Sequence, residues 1–148
     1  MLSRFGAFVT GITACYKYIQ RIKSLEMTEL GLKGTHVMCL FYLHHHPEGL
    51  TAAQLCQLCG EDKAAISRTL GELEGKQCLY TDAATGKKYR ARLFLTPLGA
   101  EQARKIDGLI QSWVSLGGEG LSEEDRETFY RILGLIADNL KDRLNKEN

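Results

Sequence analysis

Lys63, Ser67 and Arg68 lie within the run Asp62-Lys63-Ala64-Ala65-Ile66-Ser67-Arg68, a spacing that on a helix gathers an ammonium, a hydroxyl and a guanidinium onto one side. A guanidinium can donate two parallel hydrogen bonds to guanine, a serine hydroxyl can serve a base or a phosphate, and an ammonium neutralises phosphate. The small Ala64 and Ala65 would let such a helix approach its target closely. A second cationic group follows. Lys87, Lys88, Arg90 and Arg92 fall between Ala83 and Leu95 with no acidic residue among them, on a chain whose formal net charge is only +1. That concentration suits a polyphosphate backbone, and a hairpin tip carrying it could reach a minor groove. A solvated helix face and an edge hairpin protected by charge are the alternatives that these residues alone leave open.

Other reactive side chains point to less. The five cysteines, Cys15, Cys39, Cys56, Cys59 and Cys78, are odd in number and come without secretory context, which argues for a reducing, cytoplasmic setting rather than a disulfide framework. Most are expected to be buried, Cys59 in a core position beside a turn. Cys56-Gln57-Leu58-Cys59 has the C-x-x-C spacing, yet no second pair completes a zinc site, so no metal and no cofactor is expected. His44, His45 and His46 precede Pro47 at a helix end, where imidazoles can interact with the last carbonyls. There is no glycine-rich phosphate loop, no H-E-x-x-H and no G-x-S-x-G, so an enzyme is not expected.

The elements that must position the cationic residues are legible around them. Thr51 can cap a helix running to Cys59, with Leu55 and Leu58 on its buried side and Gly60 as the left-handed residue that ends it. Asp62 can cap a second helix in which Ala65, Ile66, Leu70 and Leu73 recur at helical spacing and face the first. Cys78–Asp82 and Tyr89–Leu95 read as two strands around a turn-like tip. In the second strand Tyr89, Ala91, Leu93 and Leu95 alternate with Lys88, Arg90, Arg92 and Phe94, one face packing and the other largely cationic. Helix, tight turn, helix and basic hairpin is the order of a winged helix-turn-helix, which points to duplex DNA. The same fold can also serve as a protein-interaction module.

Leu32 through Ala103, with GLKGTHVMCLFYL, LTAAQLCQLCGEDKAAISRTLGELEGKQCLY and RLFLTPLGAEQA, resembles the multiple-antibiotic-resistance-regulator (MarR) family of transcription factors. Leu95-Thr96-Pro97-Leu98-Gly99, a Leu-Thr-x-x-Gly opening a long helix directly after the wing, is the most specific piece of that resemblance. The wing departs from it: Gly86-Lys87-Lys88-Tyr89-Arg90 stands where an Asp-x-Arg pattern is common. The resemblance implies a mainly α, α+β fold, in which a two-stranded wing and the helix-turn-helix sit between N- and C-terminal dimerisation helices. It implies a homodimer that binds a pseudo-palindromic duplex operator, usually as a repressor. The DNA contacts would then be Thr51, Lys63, Ala64, Ala65, Ser67 and Arg68, with Lys87, Lys88 and Arg90 from the wing. An effector pocket for a small aromatic or phenolic acid would involve Tyr16, Ile19, His36, Leu40 and Trp113. Peroxide-sensing members use a cysteine in the first helix, which makes Cys15 the redox candidate.

The flanks agree with that plan. At 148 residues and 44% hydrophobic composition, one domain over 1–148 is expected, with 33–96 as the DNA-binding lobe and 1–32 and 97–148 as dimerisation helices. Phe5, Phe8, Ile12, Cys15, Tyr16, Ile19 and Ile22 make a helical stripe from Ser3 to Leu25. It runs straight through Ile12-Thr13-Ala14-Cys15, which otherwise looks like a lipoprotein cleavage box. A second helix is expected from Lys33 to His45. Thr96 can cap a long helix with Pro97 at its first position and Ala100, Ala103, Ile106, Ile110, Trp113 and Val114 on one face, stopped by Gly117-Gly118. Ser122 to Asp125 forms a capping box for a last helix striped with Phe129, Ile132, Leu133, Ile136, Leu140 and Leu144. These stripes exceed what one small winged lobe can bury, and a two-fold dimer would cover them. No stretch approaches the ~20 apolar residues of a membrane span.

Overall fold

Capping signals decide most of the element boundaries in the structure, a computed structural model that describes residues 1–82 and 90–146. The order is α1 (Leu2–Glu29), a 3-10 turn (Gly34–His36), α2 (Val37–His45), α3 (Ala52–Cys59), α4 (Lys63–Gly75), β1 (Leu79–Thr81), β2 (Leu93–Leu95), α5 (Pro97–Gly117) and α6 (Glu123–Asn145). The fold is mainly helical with the two strands of a wing, as the residue pattern predicts. The wing tip and its Lys87 and Lys88 lie outside the described residues.

Two compact units divide the chain, Met1–Gly108 and Leu109–Asn148. In the first, the core is built from Met27 of α1, Val37, Cys39, Leu40 and Leu43 of α2, Leu55 of α3, Ile66, Leu70 and Leu73 of α4, Leu79 and Leu93 of the wing, and Ala103 and Ile106 of α5. α1 runs four residues past its expected end because nothing breaks it before Gly31, and those extra residues include its one buried side chain, Met27. The segment expected to start α2 at Lys33 is a single 3-10 turn instead. There the ring of His36 reaches back to accept a hydrogen bond from the Lys33 backbone N–H at 3.0 Å.

β1 and β2 pair antiparallel in the register Leu79–Leu95, Tyr80–Phe94 and Thr81–Leu93. Backbone bonds from Thr96 N to the Cys78 carbonyl and from Asp82 N to the Arg92 carbonyl carry the pairing across Cys78–Asp82. Leu50, ahead of α3, exchanges two further backbone bonds with Leu93, so the wing is stitched to the start of the helical hairpin. Ala91 and Leu93 are buried, while Tyr80 and Phe94 stack on the outer side with centroids 5.5 Å apart.

Thr96 caps α5, its hydroxyl accepting from Gly99 N at 3.0 Å and donating to the Gln77 carbonyl at 2.6 Å. This explains the glycine of the Leu-Thr-x-x-Gly segment. A Cβ on Gly99 would stand 1.8 Å from the Cys78 carbonyl oxygen, so only glycine lets the first turn of α5 lie against the base of the wing.

The second unit holds the end of α5 and α6, whose capping box forms as expected: Asp125 N donates to the Ser122 hydroxyl at 3.1 Å and Ser122 N to the Asp125 carboxylate at 3.0 Å. These bonds hold the Asp125 carboxyl below the usual carboxylate range. Phe129, Ile132, Leu140 and Leu144 are exposed, and α6 has no buried residue. No helix among the described residues is long and apolar enough to cross a membrane.

Candidate nucleic-acid interface

The helical hairpin is set by three polar side chains and one glycine. The Thr51 hydroxyl accepts from Gln54 N at 3.2 Å while the Gln54 side chain accepts from Thr51 N at 2.9 Å, a reciprocal box that fixes the first turn of α3. Gly60 ends α3 in the left-handed region at φ 65°, and Asp62 Oδ1 accepts from Ala65 N at 2.7 Å to start α4. Only Glu61 lies between those two caps, so the turn joining α3 to α4 is tight.

α4 then divides its residues by face. Ile66, Thr69, Leu70 and Leu73 are buried against the core, whereas Lys63, Ala64, Ser67 and Arg68 are exposed and Ala65 is half-buried between them. Gly71 and Gly75 continue the outer ridge, and a Cβ built on either meets nothing within 4 Å. The exposed side of this helix thus presents one hydroxyl, two cations and several positions with little or no side chain. The two glycines are not among the residues singled out from the sequence, although their four-residue spacing on the same helix is a readable signal. Thr51 is half-buried at the base of α3, engaged in its cap, and Arg90 is exposed at the wing. Arg92 turns back to donate to the Gly49 carbonyl at 2.9 Å, locking the turn ahead of Leu50.

Behind α4 lies a cavity of about 800 Å³ within the first unit. α1 lines it with Tyr16, Ile19 and Lys23, α2 with Met38, Cys39 and Tyr42, α3 with Leu58 and Cys59, and α4 with Ala65, Arg68, Thr69 and Glu72. Leu58, expected on the buried side of α3, is 38% exposed because it faces this opening rather than the core. Cys59 is half-buried for the same reason, and Cys15 is exposed on α1. Arg68 stands on the flank of α4, at once on the outer side and on the cavity wall. Of the residues the sequence assigns to an effector pocket, Tyr16 and Ile19 line the cavity. His36 and Leu40 are fully buried, and Trp113 belongs to the second unit.

One carboxylate on the cavity wall is doubly paired. Glu72 takes Lys33 Nζ at 2.8 Å and His36 Nε2 at 2.7 Å on its two oxygens. The Lys33 ammonium first, and His36 second, hold its carboxyl down at about 2. Burial lowers the Lys23 ammonium, and burial raises the Tyr42 phenol. Cys39 and Cys59 both line the cavity, and their mutual influence pushes the Cys39 thiol up, together with burial, and the Cys59 thiol down.

At the far end of α2 the histidines meet carboxylates, not helix carbonyls: His45 Nε2 lies 3.0 Å and His44 Nε2 3.9 Å from Asp107, and His46 Nδ1 lies 2.8 Å from Glu48. Among the described residues no group of three or more His, Cys, Asp or Glu side chains could hold a metal ion.

Residues 30–88 match the model of the MarR family. Among solved structures, the transcriptional regulator SlyA aligns over 95% of this chain and 99% of its own, with a TM-score of 0.83 at 20% identity. A regulator assigned to the MarR family from Listeria monocytogenes, complexed with a 26mer DNA, covers 91% of this chain and 89% of its own with a TM-score of 0.79 at 20% identity. MepR of S. aureus, solved as a DNA complex, covers 87% and 93% with a TM-score of 0.77 at 18% identity.

Proposed function

We propose that this chain is a MarR-family winged-helix DNA-binding transcription regulator that works as a homodimeric repressor of a pseudo-palindromic operator. The observation that carries the proposal is the outer side of α4, where Lys63, Ser67 and Arg68 stand exposed along a ridge of Ala64, Gly71 and Gly75. Arg68 pairs with guanine, Ser67 contacts base or phosphate, and Lys63 neutralises backbone. Ala64 and Ala65 permit close approach, and Thr51 meets phosphate from the start of α3. Lys87, Lys88 and Arg90 hold the backbone or enter the minor groove from the wing.

Dimerisation rests on the uncovered apolar side chains. Phe5 of α1 is 68% exposed and Phe129 of α6 is 51% exposed, each within a longer stripe. Residues 1–32 and 97–148 supply this interface and 33–96 the DNA-binding lobe. Two lobes related by a two-fold axis then meet half-sites about one duplex turn apart.

The releasing signal is a small aromatic or phenolic acid in the cavity behind α4, or an oxidant. Lys23 and Tyr42 offer polar anchors among the apolar Ile19, Met38 and Leu58. Because Arg68 borders the same cavity, a bound carboxylate competes with DNA for its guanidinium, which supplies the unequal affinity for the two states that release requires.

Selection of binding sites from a random duplex library, followed by affinity measurements over a salt series, tests the reading. A two-fold-symmetric site with half-sites ~10 bp apart and a steep salt slope is the expected result. No enriched site and no salt dependence would instead indicate a protein-interaction module.

A further inference from the structure

Lys23 differs from the lysines that the fold engages. Lys33 meets Glu72 at 2.8 Å, Lys105 meets Glu101 at 3.3 Å, and Lys76 donates to the Gly31 carbonyl at 3.0 Å. Lys23 makes no hydrogen bond and no ion pair within 4.0 Å among the described residues. It is nevertheless half-buried, and it lines the cavity of about 800 Å³ from α1. The root of its side chain is fixed by close packing. Gly34 lies so near α1 that a β-carbon there would come 3.3 Å from the Lys23 β-carbon and 3.2 Å from the Ser24 nitrogen. The turn after α1 thus holds the base of the side chain, while no carboxylate within ion-pair distance holds its charged end.

The surroundings favour an amine over an ammonium. Ile19, Met38, Leu58 and Ile66 give the cavity apolar walls, and a nitrogen withdrawn from water is easier to keep neutral than charged. Burial accordingly lowers the Lys23 ammonium, against the opposing attraction of Cys59 and Glu61. Only the neutral amine carries the lone pair that adds to a carbonyl.

We propose that Lys23 is a covalent docking site for aromatic aldehydes, whose ring rests on the apolar walls of the cavity while the amine captures the carbonyl carbon as an imine. The Nζ lone pair adds to that carbon, the C=O π bond breaks, and one amine proton passes to the oxygen to give a carbinolamine. The nitrogen lone pair then expels the hydroxyl, which leaves as water with the second amine proton, and the C=N bond is complete. Nothing is oxidised or reduced, and hydrolysis runs the same steps backwards. Bond formation does not depend on the DNA-binding reading, because an adduct at Lys23 is observable with no duplex present.

The full-length protein is incubated with benzaldehyde and sodium cyanoborohydride, which reduces the imine to a stable benzyl amine, and intact mass with peptide mapping locates the adduct. Lys17, exposed on the same helix, is the internal reference. The expected result is labelling of Lys23 at least about tenfold ahead of Lys17, the advantage that burying one aromatic ring confers. That preference should fall toward parity with propanal, which lacks the ring, and in urea, which opens the cavity. Lys23→Arg keeps the charge without the reactive amine, so it should remove this adduct and leave labelling of Lys17 unchanged. Equal labelling of Lys23 and Lys17 in the folded protein, an adduct concentrated on another amine, or the same preference with propanal would overturn the proposal. Because the preference is read in the unsubstituted protein, poor folding of the variant does not remove the test.

Discussion

His36 and Glu72 meet at 2.7 Å, a fully buried imidazole on the turn before α2 against a carboxylate on α4. The other ring nitrogen, Nδ1, accepts the Lys33 backbone N–H at 3.0 Å, so the proton sits on Nε2 and is donated to Glu72. With Lys33 Nζ on the second oxygen, Glu72 ties α4 to the segment that follows α1.

An acid-dependent loss of stability follows from that carboxylate. Its folded value is depressed from 4.5 to about 2. Its contribution is therefore complete above the unfolded value and disappears as pH falls through the window toward the folded one. Thermal melts of the native protein and Glu72→Gln from about pH 5 to about pH 2 should converge toward the acid end. A gap that does not change with pH would contradict the assignment.

Replacing His36 by Leu keeps much of the volume but leaves the Lys33 N–H and one Glu72 oxygen without their partner. Denaturant titration should register a loss of about 1–3 kcal/mol, the range for an orphaned buried polar group.

Gly99→Ala should be far more damaging than a one-carbon change suggests. The added carbon would collide with the Cys78 carbonyl, a backbone atom that cannot rotate aside. Destabilisation at or above the top of the about 1–3 kcal/mol typical of overpacking is expected, with the same denaturant assay as the check. A neutral result would show that the contact between α5 and the wing base is loose.

Gly71 should behave in the opposite sense. A methyl there enters open space in mid-helix, so Gly71→Ala should raise stability by about 1 kcal/mol. Gly71→Leu should fold equally well yet lose affinity for the selected duplex, because the new side chain stands on the ridge assigned to the groove. Unchanged affinity in the leucine variant would move the groove contact elsewhere.

Base readout and backbone contact should separate by substitution. Arg68→Ala is expected to cost about 1–3 kcal/mol on the selected site and to relax the choice of base. Lys88→Ala should weaken all duplexes alike and lower the salt slope by about one. Equal effects of both changes on every sequence would refute that division of labour.

Local signals carried most of the fold. Thr51, Asp62, Gly60 and Ser122 each act through bonds to residues at most five positions away, and Thr96 caps α5 through Gly99, three positions on, so a sequence displays these capping partners directly. The outer side of α4 was legible for the same reason, since Lys63, Ser67 and Arg68 are ordered by helical spacing alone. Leu58 was misplaced because periodicity separates one side of a helix from another without revealing that the side fronts a cavity. Glu72 with His36 was invisible: the pair is separated by 36 residues and is made only when α4 closes on the turn before α2. Nothing in a solvent-accessible glutamate names its distant partner.

The bare backbone contact at Gly99 makes the start of α5 a rigid pivot. Side chains at an interface can change rotamer and absorb a small displacement, but an α-carbon seated on a carbonyl has no such slack. The Thr96 hydroxyl pins the neighbouring Gln77 carbonyl as well, so the start of α5 is held at two backbone points ahead of β1. A displacement of the first turn of α5 is therefore passed to the base of β1 rather than taken up by side-chain rotation.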